Sequence, residues 1–243
     1  MTPLSLLFRA WRYRLRLDVA EIAFVRQFLQ KGMTAIDIGA HKGGYLYWLR
    51  KEVGETGRVV GFEPQPLLYD YLKSAVEKAD YKNVTIENLA ISTETGNLTL
   101  FVPQHGSKTS PGATLNAAKP NEVACAEITV QVVRLDDYCA SQNLKPDLLK
   151  IDVEGFELDV FKGAATILKT CKPTLIFECE ARHLHQTTME EVFDYLASFG
   201  YKGAFFENKN LRPIAEFRLE THQKLAHGKP VRGEYANNFV FKP

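Results

Sequence analysis

The chain of 243 residues is 45% apolar and 24% charged, and its thirty basic against twenty-nine acidic side chains leave a net charge of +1. That length suits one α/β domain around a single core, and the near balance of charge gives no overall argument for nucleic acid. Cys125, Cys139, Cys171 and Cys179 form no C-x-x-C pair and no zinc spacing, so they read as reduced thiols of a cytoplasmic protein; no run reaches the roughly eighteen apolar residues of a membrane span.

Residues 1–31 read as an amphipathic helical extension. Arg9, Arg12, Arg14 and Arg16 precede the first acid, Asp18, and are interleaved with Leu6, Leu7, Phe8, Trp11, Leu15 and Leu17. A signal peptide would place its basic residues ahead of the apolar stretch and end in small residues, which this segment does not. Such a segment suits a membrane surface, where the protein would be peripheral, or docking on the body of the protein or on a partner chain, with docking the expected use. A helix continues over Ala20 to Leu29, with Gly32 expected to close it.

The remaining domain, 32–243, is organised around Thr34 to Gly44, TAIDIGAHKGG. Ala35, Ile36 and Ile38 form a short apolar run, Gly39, Gly43 and Gly44 interrupt it, and Tyr45, Leu46, Trp48, Leu49 and Val53 follow at helical spacing. A strand, a glycine turn and a helix in that order leave free backbone amides at the helix start, where polar or anionic groups bind. A second apolar run, Val59 to Phe62, ends in Glu63, the position from which nucleotide-binding α/β folds hold ribose hydroxyls. Ala40 and His41 follow Gly39 where a dinucleotide fingerprint has its second glycine, and Asp37 stands just before the turn. A carboxylate there repels a pyrophosphate and attracts an ammonium group, so the pattern favours S-adenosylmethionine over NAD. The alternative for Asp37 is a turn or capping residue.

Pro64 and Pro66 open a helix to about Lys78, and a third strand is expected over Val84 to Leu89, with Asn88, Leu89 and Ala90 where an adenine loop would lie. Asn97–Val102 and Glu127–Val133 alternate and read as an antiparallel hairpin; the Gly-, Ser- and Pro-containing stretch between them, Pro103 to Val123, has the length of a lid. Leu135 to Ala140 is a short helix, and Asp147 to Asp152 is strand 4. The tail of that strand, KIDVEGFE, gathers Lys150, Asp152, Glu154 and Glu157 around a glycine turn. A helix over Phe156 to Leu168 leads to strand 5, Thr174 to Cys179, which is followed by a second polar cluster of Glu178, Glu180, His183 and His185. Then come a helix over Met189 to Phe199 and strands at Tyr201–Glu207 and Asn238–Phe241.

Taken together, AIDIGAHKGGY, GFEPQP, LAIS, RLDDY, LLKIDVEGFE, LIFECE and NNFVF resemble the FkbM-type S-adenosylmethionine-dependent methyltransferase family from about Gly32 to Val240. The resemblance implies an α/β, Rossmann-like class I methyltransferase sheet of seven strands, mostly parallel with the last antiparallel, to which this chain adds the β-hairpin and the N-terminal helical segment. It also implies O-methylation. The cofactor-binding set is Asp37, Gly39, Ala40, His41, Gly43 and Gly44 in the first loop, Glu63 and Pro64 after the second strand, and Asn88, Leu89 and Ala90 after the third. Asp152 would stand beside the transferred methyl.

The acceptor is expected to be a hydroxyl on a small molecule, glycan or lipid-linked sugar, and a homo-oligomer is compatible with the sequence. Asp152, Glu154, Glu178 and His183 are the candidate catalytic residues, because open α/β sheets bind ligands at the carboxyl ends of their strands. The alternatives are helix capping for the two acids after strand 4 and plain surface roles for His183 and His185. Asp152, Glu154, Glu178 and a histidine have the donor types for Mg²⁺ or Mn²⁺, but carboxylates at a strand edge more often bind substrate hydroxyls, so no metal is assigned. A non-catalytic binding or membrane-docking module on the same fold is the competing reading.

Overall fold

A computed structural model of the chain describes residues 3–104, 108–115, 124–226 and 229–243. Helix α1 (Pro3–Arg12), a π-helical turn (Tyr13–Leu17) and α2 (Val19–Phe28) lead into β1 (Thr34–Ile38), α3 (Leu46–Val53), β2 (Arg58–Phe62), α4 (Pro66–Lys78) and β3 (Val84–Glu87). The chain then forms β4 (Ala90–Ile91), β5 (Gly96–Pro103), β6 (Cys125–Val133) and α5 (Leu135–Ser141). It continues through β7 (Leu148–Ile151), α6 (Glu157–Gly163), α7 (Ala165–Thr170), β8 (Thr174–Glu178), α8 (Met189–Ser198) and β9 (Lys202–Glu207). β10 (Asn210–Pro213), α9 (Leu219–His222), β11 (Gln223–Ala226), β12 (Lys229–Tyr235) and β13 (Asn238–Lys242) close it.

The main sheet runs β10-β9-β13-β8-β7-β1-β2-β3. β1, β2, β3, β7 and β8 pair in parallel, whereas β13 runs antiparallel to both β8 and β9. This is the expected seven-stranded arrangement with an antiparallel last strand. Its parallel strands, with β1 and β2 buried in all but their first residue and β7 buried throughout, are mostly apolar because helices cover both faces. Ile36, Ile38, Leu149, Ile151 and Phe177 turn to one face, and Ala35, Val59, Leu148 and Ile176 to the other, giving two core layers.

Several elements differ from the sequence-based expectation. β10 adds an eighth strand, exposed throughout and ending in Pro213, which only an edge tolerates. The β11–β12 hairpin is likewise unexpected. The antiparallel pair is present as β5–β6, but β4 joins β6 in parallel to make a three-stranded sheet. β3 therefore stops at Glu87, and Ala90 opens a strand of the smaller sheet. The helix expected over 156–168 is broken at Ala164. There Gly163 lies so close to the Ser92 carbonyl that a Cβ would stand 2.1 Å from its oxygen, so the small sheet wedges against the helix. α2 ends at Leu29, three residues before Gly32, whose amide instead donates to Val53 O at 2.9 Å.

Residues 3–31 pack against the body of the protein. Ala10, Ile22, Val25 and Leu29 are buried in the same cluster as Leu46, Trp48 and Val59, and the Trp48 indole donates to Ala10 O at 2.8 Å. Of the expected lid, residues 108–115 are tied down: Gln65 and Ser110 exchange two hydrogen bonds, Phe101 and Thr114 two more, and Thr114 Oγ1 donates to Glu154 O at 2.9 Å. The rest, 105–107 and 116–123, lies outside the described residues.

Candidate active site

A cavity of about 290 Å³ opens at the carboxyl ends of β1, β2, β7 and β8. β1 delivers Asp37 at its end, and the turn that follows is shaped by Gly39, at φ +82°, beneath the Asp152 carbonyl. Asp37, Gly39, Ala40, His41, Gly44, Glu63, Pro64, Leu89, Ala90, Asp152, Glu154 and Glu178 all line the cavity. Three of the expected residues do not. Gly43 faces away, packed between Leu6 and Leu72. Asn88 turns its amide to the Glu63 and Pro64 carbonyls at 2.9 and 3.0 Å, bracing the end of β2. His183 stands behind Glu154, its Nδ1 2.8 Å from Glu154 Oε2, and His185 is exposed.

Glu63 is 2% exposed. Its Oε2 accepts from the His41 amide at 2.7 Å and its Oε1 from the Gln65 amide at 2.9 Å, so two backbone groups fix its carboxylate at the mouth of the turn. Burial nevertheless pushes its pKa up to about 7, with those amide hydrogen bonds opposing the rise. The His41 ring is driven the other way, to about 4, by burial and then by the cations Lys42, Arg9 and Lys150. It is a neutral imidazole at physiological pH, and its Nε2 is buried with no hydrogen-bond partner.

The parallel pairing of β1 with β7 sets Asp37 opposite Lys150. The Lys150 ammonium lies 3.2 Å from Asp152 Oδ2 and 3.8 Å from Asp37 Oδ1, and over the Tyr45 ring at 4.9 Å. Burial acts to depress the lysine, but the carboxylates of Asp152 and Asp37 outweigh it and hold the side chain cationic. Asp37 is 1% exposed, and burial raises it to about 6 against the pull of Lys150. Its Oδ1 has no hydrogen-bond partner.

Glu178 and Glu180, at and just past the end of β8, share a network. Asn237 Nδ2 donates to Glu178 Oε1 at 2.8 Å and to Glu180 Oε1 at 3.1 Å, while Tyr235 OH and Arg182 donate to Glu180 Oε2. Burial, then the charge of Asp152, then the hydrogen bond with Glu180 raise Glu178 well above the carboxylate range. Glu180 goes down to about 2, because the bonds from Arg182, Glu178 and Tyr235 overcome its burial. The pair therefore holds one proton on Glu178, which faces the cavity, and a charge on Glu180, which does not. Among the described residues no group of three or more His, Cys, Asp or Glu side chains converges as a metal site would.

The cavity also has walls that the motifs did not announce. Tyr13, Leu17 and Asp18 come from the N-terminal segment, and Tyr45 OH donates to Asp18 Oδ2 at 2.9 Å. Tyr13 and Tyr45 meet edge to face at 6.0 Å. Lys150 sits inside the KIDVEGFE motif, where a lysine among carboxylates was a legible signal; Tyr13 and Asp18 carried none.

"Methyltransferase 1" of Beauveria bassiana is 29% identical over 147 residues, covering 53% of this chain and 57% of the relative. "Methyltransferase sdnD" of Sordaria araneosa is 27% identical over 153 residues, covering 53% and 59%. The chain thus spans a little over half the length of these curated relatives. In fold, it is similar to the crystal structure of Methyltransferase FkbM from Methylobacillus flagellatus KT, with a TM-score of 0.56 at 16% identity, over 98% of this chain and 54% of that one. The family model for the methyltransferase FkbM domain matches residues 37–202, which carry the glycine turn, Glu63, Asp152, Glu178 and His183. With that stretch making up well over half of its length, the chain belongs to the FkbM methyltransferase family.

Proposed function

We propose that this chain transfers the methyl group of S-adenosylmethionine to a hydroxyl oxygen of a small molecule, glycan or lipid-linked sugar. The observation that carries the reading is the placement of Asp37 and Glu63 on neighbouring strands, either side of the Gly39 turn, in one cavity with Asp152 and Glu178. The side chains present fit that cofactor. Asp37 Oδ1, buried, 3.8 Å from the Lys150 ammonium and without a closer hydrogen-bond partner among the described residues, suits an ammonium group. The Glu63 carboxylate, already oriented by two amides, has lone pairs left for ribose hydroxyls, and the side chains of Leu89 and Ala90 suit an adenine face.

When bound, the cofactor supplies a methyl group already activated on a sulfonium. The protein's task is then to align the acceptor and receive its proton. Alignment can lower a barrier by roughly 7–11 kcal/mol, whereas a general base contributes about 10²–10⁴-fold, so positioning dominates. Asp152 accepts from Lys150 at one oxygen, and its other oxygen, which takes part in no hydrogen bond among the described residues, would accept the proton of an acceptor hydroxyl. Glu178, whose proton goes to Glu180, would accept from a second hydroxyl of the acceptor, fixing its orientation. Glu154 is oriented by His183, which acts through it rather than on the acceptor.

Calorimetry with S-adenosylhomocysteine and, in parallel, NADH tests the assignment without knowledge of the acceptor. Binding of the first alone is expected; binding of NADH, or of neither, overturns it.

A further inference from the structure

Helix α1 is apolar on two sides. Leu6 and Ala10 turn inward and are 1% and 0% exposed. On the other side Leu4, Phe8, Trp11 and Leu15 follow at helical spacing and face solvent, with Leu4 at 72% and Phe8 at 73% exposed. A helix that only docks on its own protein presents polar residues outward; Trp11 leans one edge on the Trp48 ring at 5.3 Å, but Leu4, Phe8 and Leu15 stay exposed among the described residues. Arg12 and Arg16 lie exposed alongside it, one turn apart. Residues 3–17 contain no carboxylate, and none of the four arginines there forms an ion pair among the described residues.

An apolar stripe with Trp and Phe, flanked by arginines without ion pairs among the described residues and running along α1 and the π-helical turn that follows it, matches the boundary between acyl chains and phosphate headgroups. We propose that this face seats on an anionic lipid bilayer. Leu4, Phe8, Trp11 and Leu15 enter the acyl boundary while Arg12 and Arg16 bind headgroup phosphates. A protein partner offers no better match: Arg12 and Arg16 place excess positive charge beside the C-terminal part of the apolar stripe, with no carboxylate in residues 3–17 to offset it, as phosphate along a membrane plane requires.

The position of the face matters for the site. The same segment runs on to Leu17, 49% exposed, and to Asp18, and both line the cavity. A docked bilayer therefore lies beside the cavity mouth and brings lipid-borne hydroxyls to it. This extension to substrate class rests on the proposed methyl transfer; the docking itself does not.

Co-sedimentation of the whole chain with vesicles tests the proposal. With equimolar phosphatidylcholine and phosphatidylglycerol the protein should pellet, with phosphatidylcholine alone it should stay in solution, and added salt should weaken binding. Replacing Arg12 and Arg16 by Ala should weaken it by about five-fold for each arginine. Leu4→Ser with Phe8→Ser should weaken it about ten-fold or more. All four positions are exposed, so unchanged thermal unfolding and unchanged S-adenosylhomocysteine affinity show that the variants are folded with an intact cavity. No pelleting, or pelleting that neither pair of substitutions alters, overturns the proposal. So does lipid-free dimerisation that Leu4→Ser with Phe8→Ser abolishes, since a second copy would then cover the stripe. Vesicle binding by a protein that fails to bind S-adenosylhomocysteine would sink the cofactor assignment and leave the docking face standing.

Discussion

Gly39 lies directly under the main chain of Asp152: a Cβ on Gly39 would stand 1.9 Å from the Asp152 carbonyl oxygen. The turn that opens the cavity and the strand end that carries the candidate base are thus in backbone contact, and neither can move without the other.

Gly39→Ala is accordingly expected to destabilise the protein by about 2–4 kcal/mol, combining the left-handed backbone penalty with overpacking. S-adenosylhomocysteine binding should be lost with it. Thermal unfolding and calorimetry measure the two effects; a stable variant with normal affinity would show that the turn has room the structure denies.

Cofactor affinity should depend on pH through Glu63. Its pKa of about 7 in the free protein means that ribose hydroxyls must find it ionised, so the Kd should weaken about ten-fold from pH 8 to pH 6. Glu63→Ala should raise the Kd by the equivalent of about 1.5–3 kcal/mol, and Glu63→Gln should remove the pH dependence. A pH slope that persists in Glu63→Gln belongs to another group.

The ligand-free protein should lose stability as pH rises. Asp37, Glu63 and Glu157, buried and raised to about 6, 7 and 8, titrate near pH 4 when unfolded, so the folded form holds more protons between those values. Their contribution is complete below pH 4 and disappears as pH climbs through 6 to 8. Glu180, lowered to about 2, works in the opposite sense and is lost only as pH falls below its ordinary value near 4.5. The melting temperature is therefore expected to peak near pH 4 and to drop steadily to pH 8; a rise over that interval contradicts the assignment of these buried acids.

Glu178 holds a proton, so its amide analogue should replace it. Glu178→Gln keeps a donor toward Glu180 and an acceptor for Asn237, and its melting temperature should match that of the native chain. Glu178→Ala leaves both partners short and should cost about 1–3 kcal/mol. Equal losses in the two variants would mean that Glu178 carries a charge.

The division of labour between Asp152 and His183 can be read from rates once an acceptor is in hand. Asp152→Asn should reduce kcat by about 10²-fold or more, with cofactor affinity little changed. His183, outside the cavity and bonded to Glu154, should cost less than about ten-fold when replaced by Ala. A loss at His183 as large as that at Asp152 would move the base to the imidazole.

Much of this site is legible in the sequence because it is local: a glycine after a short apolar run, an acid at the end of the next, and a motif of acids around a second turn. Apolar runs bounded by turns likewise gave the parallel strands. What is not legible depends on contacts between distant segments. Lys150 meets Asp37 only because β7 pairs beside β1 in one register, and Asn88 leaves the adenine loop because two carbonyls at the end of β2 claim its amide. The break at Ala164 comes from Ser92, some seventy residues away, and β10 and β11 are polar edge segments whose pattern alone does not separate them from loop.

Tyr13, Leu17 and Asp18 stand outside the 37–202 stretch that defines the family, yet they close one side of its cavity. A chain trimmed to the family stretch would keep Asp37, Gly39, Glu63 and Asp152 and lose a wall, together with the helix whose Ala10 carbonyl accepts from Trp48. Inheritance and folding draw different borders here. The family stretch supplies the glycine turn and the acids of the cavity, while one of its walls is built by residues that precede that stretch.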